Sequence, residues 1–155
     1  MKHGMYGPSI CYMCKSTNES IEHLLNSCEA AKTMWNKIER IFLQLDRDNT
    51  NINTTILRWR KGGFKSEVLN RAWRLFPGFL LWEIWKERND RIFWGDPSTK
   101  DQMWQKMIEN TRETILTNKW TEEEWKTEGI ETQIMANLNL KPQMMSSNLW
   151  NFRPP

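Results

Sequence analysis

Apolar positions recur three and four residues apart along most of the chain. From Ile21 the spacing runs through Leu24, Cys28, Ala31, Trp35, Ile38, Phe42 and Leu45, the repeat of one helix face turned toward a core. It predicts a first helix over 20–45, with Ser16 and Glu19 set three apart as a capping box before it. The stretch from Asp46 to Thr55 is polar, rich in asparagine and β-branched threonine, and reads as a loop; Gly62-Gly63 marks a second break. A second helix is expected over 66–76, carrying Val68, Leu69, Ala72, Trp73 and Phe76. Pro77 should end or kink it, because proline has no N–H for the ladder and disfavours helical geometry in the residue before it.

Helical pattern resumes over 79–93, where Leu81, Trp82, Trp85, Asn89 and Ile92 share a face, and Gly95-Asp96-Pro97 stops it. Thr99 and Gln102 form a candidate capping box for a further helix over 100–117, with Met103, Trp104, Met107, Ile108, Thr111 and Ile115 on one side. A brief helical turn is expected from Thr121 to Lys126. Beyond Gly129 the composition shifts to Asn, Gln, Met and Ser and ends in Arg153-Pro154-Pro155, which predicts a mobile tail. No strand-period run is long enough for a sheet. The fold class expected is therefore all-α: a small helical domain with a cysteine-rich N-terminus. Its parts are a knuckle and first helix over 1–46, a polar and basic loop over 47–65, a helical region over 66–128 and the tail over 129–155.

Composition sharpens this picture in two places. The chain has ten tryptophans but only two tyrosines in 155 residues, and such rings can supply much buried area to a small fold. Those at 35, 73, 82, 85 and 104 lie on the apolar stripes and are expected to be mostly buried. No uninterrupted apolar run, Phe79-Leu80-Leu81-Trp82 and Ile10-Cys11-Tyr12-Met13-Cys14 included, comes near the ~20 residues that span a bilayer. The first residues lead into no apolar segment of a secretory signal, and three cysteines make an odd set. Together these point to a reducing, intracellular setting, nuclear or cytoplasmic, and to no membrane partner.

The net charge of +3 is unevenly spread. From 58 to 91 there are nine basic residues against four acidic ones, while the flanking segments are neutral or acidic. The basic residues are interleaved with Trp59, Trp73, Trp82 and Trp85, a mixture that suits a polyanion whose bases can stack, RNA or DNA. Arg58, Arg60, Lys61 and Lys65 are the candidate contacts, because they flank the Gly62-Gly63 break where a loop can follow a backbone. The plainer alternative is that these cations line solvated helix faces, with Arg88 and Arg91 neutralised locally by Glu87 and Asp90.

Cys11, Cys14, His23 and Cys28 form C-x2-C-x8-H-x4-C, using every cysteine and one of the two histidines; His3 falls outside it. A C-x2-C turn lets two thiolates meet one ion, and His23 and Cys28 can return from the same side. Zn2+ accepts such a Cys3His set tetrahedrally, and four protein ligands leave no position for a reactive water. The alternative makes Cys28 a core residue and the other two free surface thiols. No catalytic set stands out. Glu122-Glu123-Glu124 reads as a solvated helix start, and a Ser or Cys nucleophile would lack a partner histidine with His23 on the metal.

The run Cys11-Tyr12-Met13-Cys14, then Glu19-Ser20-Ile21-Glu22-His23-Leu24-Leu25, Cys28, Ala31 and Trp35, resembles the zinc-binding domain found C-terminal to the polymerase in plant LINE-type (non-LTR) retrotransposon reverse transcriptases. Ile84-Trp85-Lys86-Glu87-Arg88-Asn89-Asp90-Arg91-Ile92-Phe93 is similar to the W-x-x-W-K-x-R-N-x-x-x-F segment that follows it there. The resemblance implies that Cys11, Cys14, His23 and Cys28 are metal ligands. It also leads to the expectation of a non-enzymatic fragment or domesticated remnant, since polymerase and ribonuclease H motifs are not found in these residues. The function expected is a zinc-binding module that contacts nucleic acid. The alternative is a zinc-stabilised structural or protein-interaction module.

Overall fold

The structure, a computed structural model, describes residues 10–42, 51–95 and 97–142. Among these residues it is all-α, with one isolated antiparallel bridge, Ile10 to Asn18, and no strand. A π-helical turn over His23–Ser27 leads into α1 (Glu29–Phe42), followed by α2 (Ile52–Trp59), α3 (Glu67–Phe93), α4 (Lys100–Leu116), α5 (Glu122–Trp125) and α6 (Ile130–Asn137). The cysteines and His23 gather at the N-terminal end. The long α3 is the spine against which α4, α1 and the π turn pack.

The expected first helix is two pieces. Cys28 is extended, with φ −61° and ψ 141°, and its N–H bonds to the His23 carbonyl at 2.6 Å, closing the wide turn. Residues five apart on an α-helix diverge by about 140°; widening the turn brings His23 and Cys28 to one side. Ser16 and Glu19 do not cap it. Ser20 Oγ instead accepts the His23 N–H at 3.0 Å, while Ser16 turns to Cys14 and Glu19 to Arg88.

The core forms where α1, α2 and α3 meet. Phe42 sets its ring against Trp73 and Phe76 at 4.9 and 5.0 Å between centroids, both nearly perpendicular, the edge-to-face geometry that the ring quadrupole favours. Trp59 and Trp73 lie flat on each other at 3.8 Å. Each indole donates to the other residue's carbonyl, Trp59 Nε1 to Trp73 O at 2.6 Å and Trp73 Nε1 to Trp59 O at 2.9 Å.

That clasp explains a departure from expectation. Pro77 neither ends nor divides the helix: α3 runs unbroken from Glu67 to Phe93 with Pro77 buried inside it. The missing proline N–H would have bonded to the carbonyl four residues earlier. That carbonyl belongs to Trp73, and the Trp59 indole occupies it.

Three further expectations are corrected. Residues 52–59 are helical, not loop. Asn51 caps α2 by accepting the Thr54 N–H at 2.8 Å, Glu22 accepts the Ile52 N–H at 3.0 Å, and Trp59 is buried. Residues 130–142 are not tail. In and just after α6, Ile134, Met135, Leu138 and Leu140 are buried, and Glu131 accepts the N–H groups of Lys65 and Ser66 at 2.7 and 3.3 Å. Residues 143–155 lie outside the described residues, as do Asp46 to Thr50 of the expected loop.

The third correction concerns the tryptophans. Trp35 and Trp73 are buried and Trp104 partly so, but Trp82 and Trp85 are 53% and 50% exposed. In this half of α3 the inward face is Leu80, Glu83, Ile84 and Glu87. Its two carboxylates tolerate burial because they are bonded: Glu83 accepts from Asn110 at 3.2 Å, and Glu87 from Ser98 N–H at 2.9 Å and Arg91 at 2.7 Å. With acids inward, the indoles face out. The capping box of Thr99 and Gln102 and the buried Met103, Met107, Thr111 and Ile115 of α4 are as expected.

Candidate metal centre

One sulfur or nitrogen from each of Cys11, Cys14, His23 and Cys28 lies within 4.8 Å of every other. Three local structures bring them there. Cys11 and Cys14 open and close a tight turn in which Lys15 N–H reaches the Cys11 carbonyl at 2.8 Å, with Lys15 at φ 56°. The π turn carries His23, and Cys28 stands at the head of α1.

Two of the distances match a tetrahedral ion. Metal–sulfur bonds of ~2.3 Å and metal–nitrogen bonds of ~2.0–2.1 Å place tetrahedral ligands roughly 3.8 Å apart for two sulfurs and roughly 3.5 Å for sulfur and nitrogen. Cys11 Sγ and Cys28 Sγ are 3.9 Å apart, and Cys14 Sγ and His23 Nε2 are 3.3 Å apart. With Nε2 turned inward, His23 Nδ1 faces Ser27 Oγ at 3.5 Å. A proton held on Nδ1 leaves Nε2 with the lone pair that a cation needs.

The surroundings prepare the thiols unequally. Burial opposes ionisation of Cys14, but hydrogen bonds from the Ser16 hydroxyl and N–H, one shared with His23 and one from the Thr17 N–H outweigh it and bring the thiol down to about 6. Burial pushes Cys28 up to about 12, against a hydrogen bond from the Ala30 N–H, and the neighbouring Cys11 and Cys14 charges add to the rise. Three crowded thiolates repel one another, so a cation at their centre removes the repulsion and favours the ionised forms. Binding must release the thiol protons, and acid opposes it.

A second layer fixes the knuckle to α3. Glu19 accepts two bonds from Arg88, at 2.6 Å from Nη2 and 3.0 Å from Nε, and the guanidinium stands 5.9 Å from the Tyr12 ring centroid. Arg91 reaches between the first two cysteines, donating to the Met13 carbonyl at 3.1 Å while paired with Glu87. Local neutralisation of Arg91 by Glu87 is as expected. Arg88 pairs instead with Glu19, 69 residues away. Charge patterning missed these clamps; the signal for Arg88 was its place in the W-K-x-R-N segment.

The four basic candidates lie on other elements from the Cys3His cluster. Arg58 lies in the last turn of α2, Arg60 and Lys61 follow the helix, and Lys65 precedes the cap of α3; all four side chains are exposed. Gly62 shapes this connection, since a Cβ there would stand 2.8 Å from the Trp73 ring.

Fold and site define a small all-α protein with a Cys3His centre able to hold a metal ion. Among the described residues no helix is long and apolar enough to cross a membrane. Comparison with protein-family models, curated proteins and solved structures found no match.

Proposed function

We propose that the chain is a zinc-stabilised, non-catalytic module that binds nucleic acid, of the kind found in plant LINE-type reverse transcriptases. Zinc is the ion that a Cys3His set at tetrahedral spacing favours, and four protein ligands make the centre structural. The ligand spacing and the W-K-x-R-N segment support the family reading. That segment supplies Arg88, and Arg91 follows it by two residues; both hold the knuckle.

The observation that carries nucleic-acid binding is the α2–α3 connection. Arg60, Lys61 and Lys65 are exposed there and make no ion pair among the described residues. Unpaired cations around a turn attract phosphates, and the release of counterions makes such binding weaken with salt. The test is binding of labelled single-stranded RNA, single-stranded DNA and duplex by the zinc-loaded chain at two salt concentrations. Replacing Arg58, Arg60, Lys61 and Lys65 together by alanine should weaken binding and flatten the log–log salt slope on a single strand by roughly 2–3. An unchanged slope removes this segment from the interface. No affinity in the parent at ~150 mM salt leaves a structural or protein-interaction module.

A further inference from the structure

The outward face of α3 connects the basic turn to the metal knuckle. Arg71, Arg74, Gly78, Trp82 and Trp85 are its exposed positions, three or four apart, with half-buried Lys86 one turn past Trp82. Charge is sorted across the helix. Between Arg71 and Lys86 the single acidic residue is Glu83, buried on the opposite side against Asn110. Arg71, Arg74 and Lys86 make no ion pair among the described residues.

Both ends of this stripe are shaped. Near its N-terminal end, Arg60 and Arg74 border a cleft of about 420 Å³ whose wall includes Leu81 and Gly78. Gly78 leaves the stripe open at its middle, for a Cβ there would meet nothing within 4 Å. Toward the C-terminal end, Trp82 and Trp85 stack at 5.2 Å and 27° while half of each stays in water. A hollow of about 330 Å³ between Trp85, Ile21 and Arg88 adjoins them, beside the knuckle. From Arg74 to Trp82 the rise along the helix is about 12 Å, a few nucleotides of strand.

We propose that this stripe is a track for single-stranded nucleic acid, with phosphates at the Arg60–Arg74 cleft and bases stacked on the Trp82–Trp85 pair. The inference rests on the nucleic-acid reading above and names its substrate class. Flat aromatic faces among unpaired cations complement a strand that offers phosphates and free base faces together. An acidic peptide would answer the cations alone. A duplex would too, because its bases are already stacked on one another.

The experiment compares the zinc-loaded parent with Trp82→Ala, Trp85→Ala and Trp82→Phe, titrating labelled single-stranded and duplex oligonucleotides of one sequence at two salt concentrations. Single strands should bind more tightly than duplex. Each alanine variant should lose roughly tenfold in single-strand affinity with little change in salt slope, and Trp82→Phe should retain most of it. Both indoles are exposed, so the fold should survive, as checked by circular dichroism. Salt-dependent binding that both alanine variants match, or duplex bound as tightly as single strand, overturns the track and leaves the nucleic-acid reading standing. No binding of any oligonucleotide overturns both. Self-association that Trp82→Ala disperses would assign the rings to a protein contact and also overturn the track.

Discussion

Replacing Trp59 by phenylalanine should unmask the defect that Pro77 introduces into α3. The Trp73 carbonyl is buried and has no ladder partner, because residue 77 carries no N–H; the Trp59 indole serves it at 2.6 Å. Phenylalanine keeps a ring on Trp73 but removes that donor, and an unsatisfied buried carbonyl costs about 1–3 kcal/mol. With the smaller ring, Trp59→Phe should cost about 2–4 kcal/mol in all. Pro77→Ala supplies the missing N–H. In that background the Trp73 carbonyl stays bonded when the indole is lost, so the cost of Trp59→Phe should shrink by about 1–2 kcal/mol. Urea unfolding of the four proteins of this cycle, followed by circular dichroism in the presence of zinc, measures the coupling. The two changes combining additively within about 0.5 kcal/mol would refute the claim that the indole replaces the ladder bond.

Arg91→Met should leave Glu87 buried beside Ser98 with its main partner gone, costing about 2–3 kcal/mol, and should speed zinc transfer to a chromophoric chelator. A transfer rate equal to the parent's would show that the arginine does not restrain the knuckle. Gly78→Ala should stabilise the chain by about 0.5–1 kcal/mol in thermal unfolding, since a Cβ there meets nothing. Gly62→Ala should destabilise it by about 1–3 kcal/mol through the clash with Trp73, and the reverse order would contradict the geometry of both sites. Asp101 is held below its ordinary value of 3.8 by its hydrogen bond from Lys37 and then by the lysine charge. Its contribution to stability is therefore present above 3.8 and lost as pH falls through the lowered value. Lys37→Met should return the Asp101 titration, followed by carboxyl NMR, to the ordinary range, and an unmoved midpoint would refute the pairing.

Features set by short stretches of chain were readable from the residues alone. The ligand set follows from spacing within 18 residues, and the stripes of α1 and α4 follow from simple periodicity. What escaped depended on partners far along the chain. Ranking residues by apolarity put Trp82 and Trp85 inside, whereas the fold turns Glu83 and Glu87 inward because Asn110, Ser98 and Arg91 meet the carboxylates. Pro77 reads as a break until the indole 18 positions earlier is seen on the freed carbonyl. The threonines of α2 and the polar composition of α6 both argue against helix. Glu22 holding Ile52, and Glu131 holding Lys65 and Ser66, are contacts that no local pattern announces.

Zinc K-edge X-ray absorption on the chain purified with metal present tests the central claim most directly. The account predicts one zinc per chain, with about three sulfurs at ~2.3 Å, one nitrogen at ~2.0–2.1 Å and no bound water. Less than about half an equivalent of zinc, or a shell dominated by oxygen and nitrogen, would contradict a Cys3His centre built from Cys11, Cys14, His23 and Cys28.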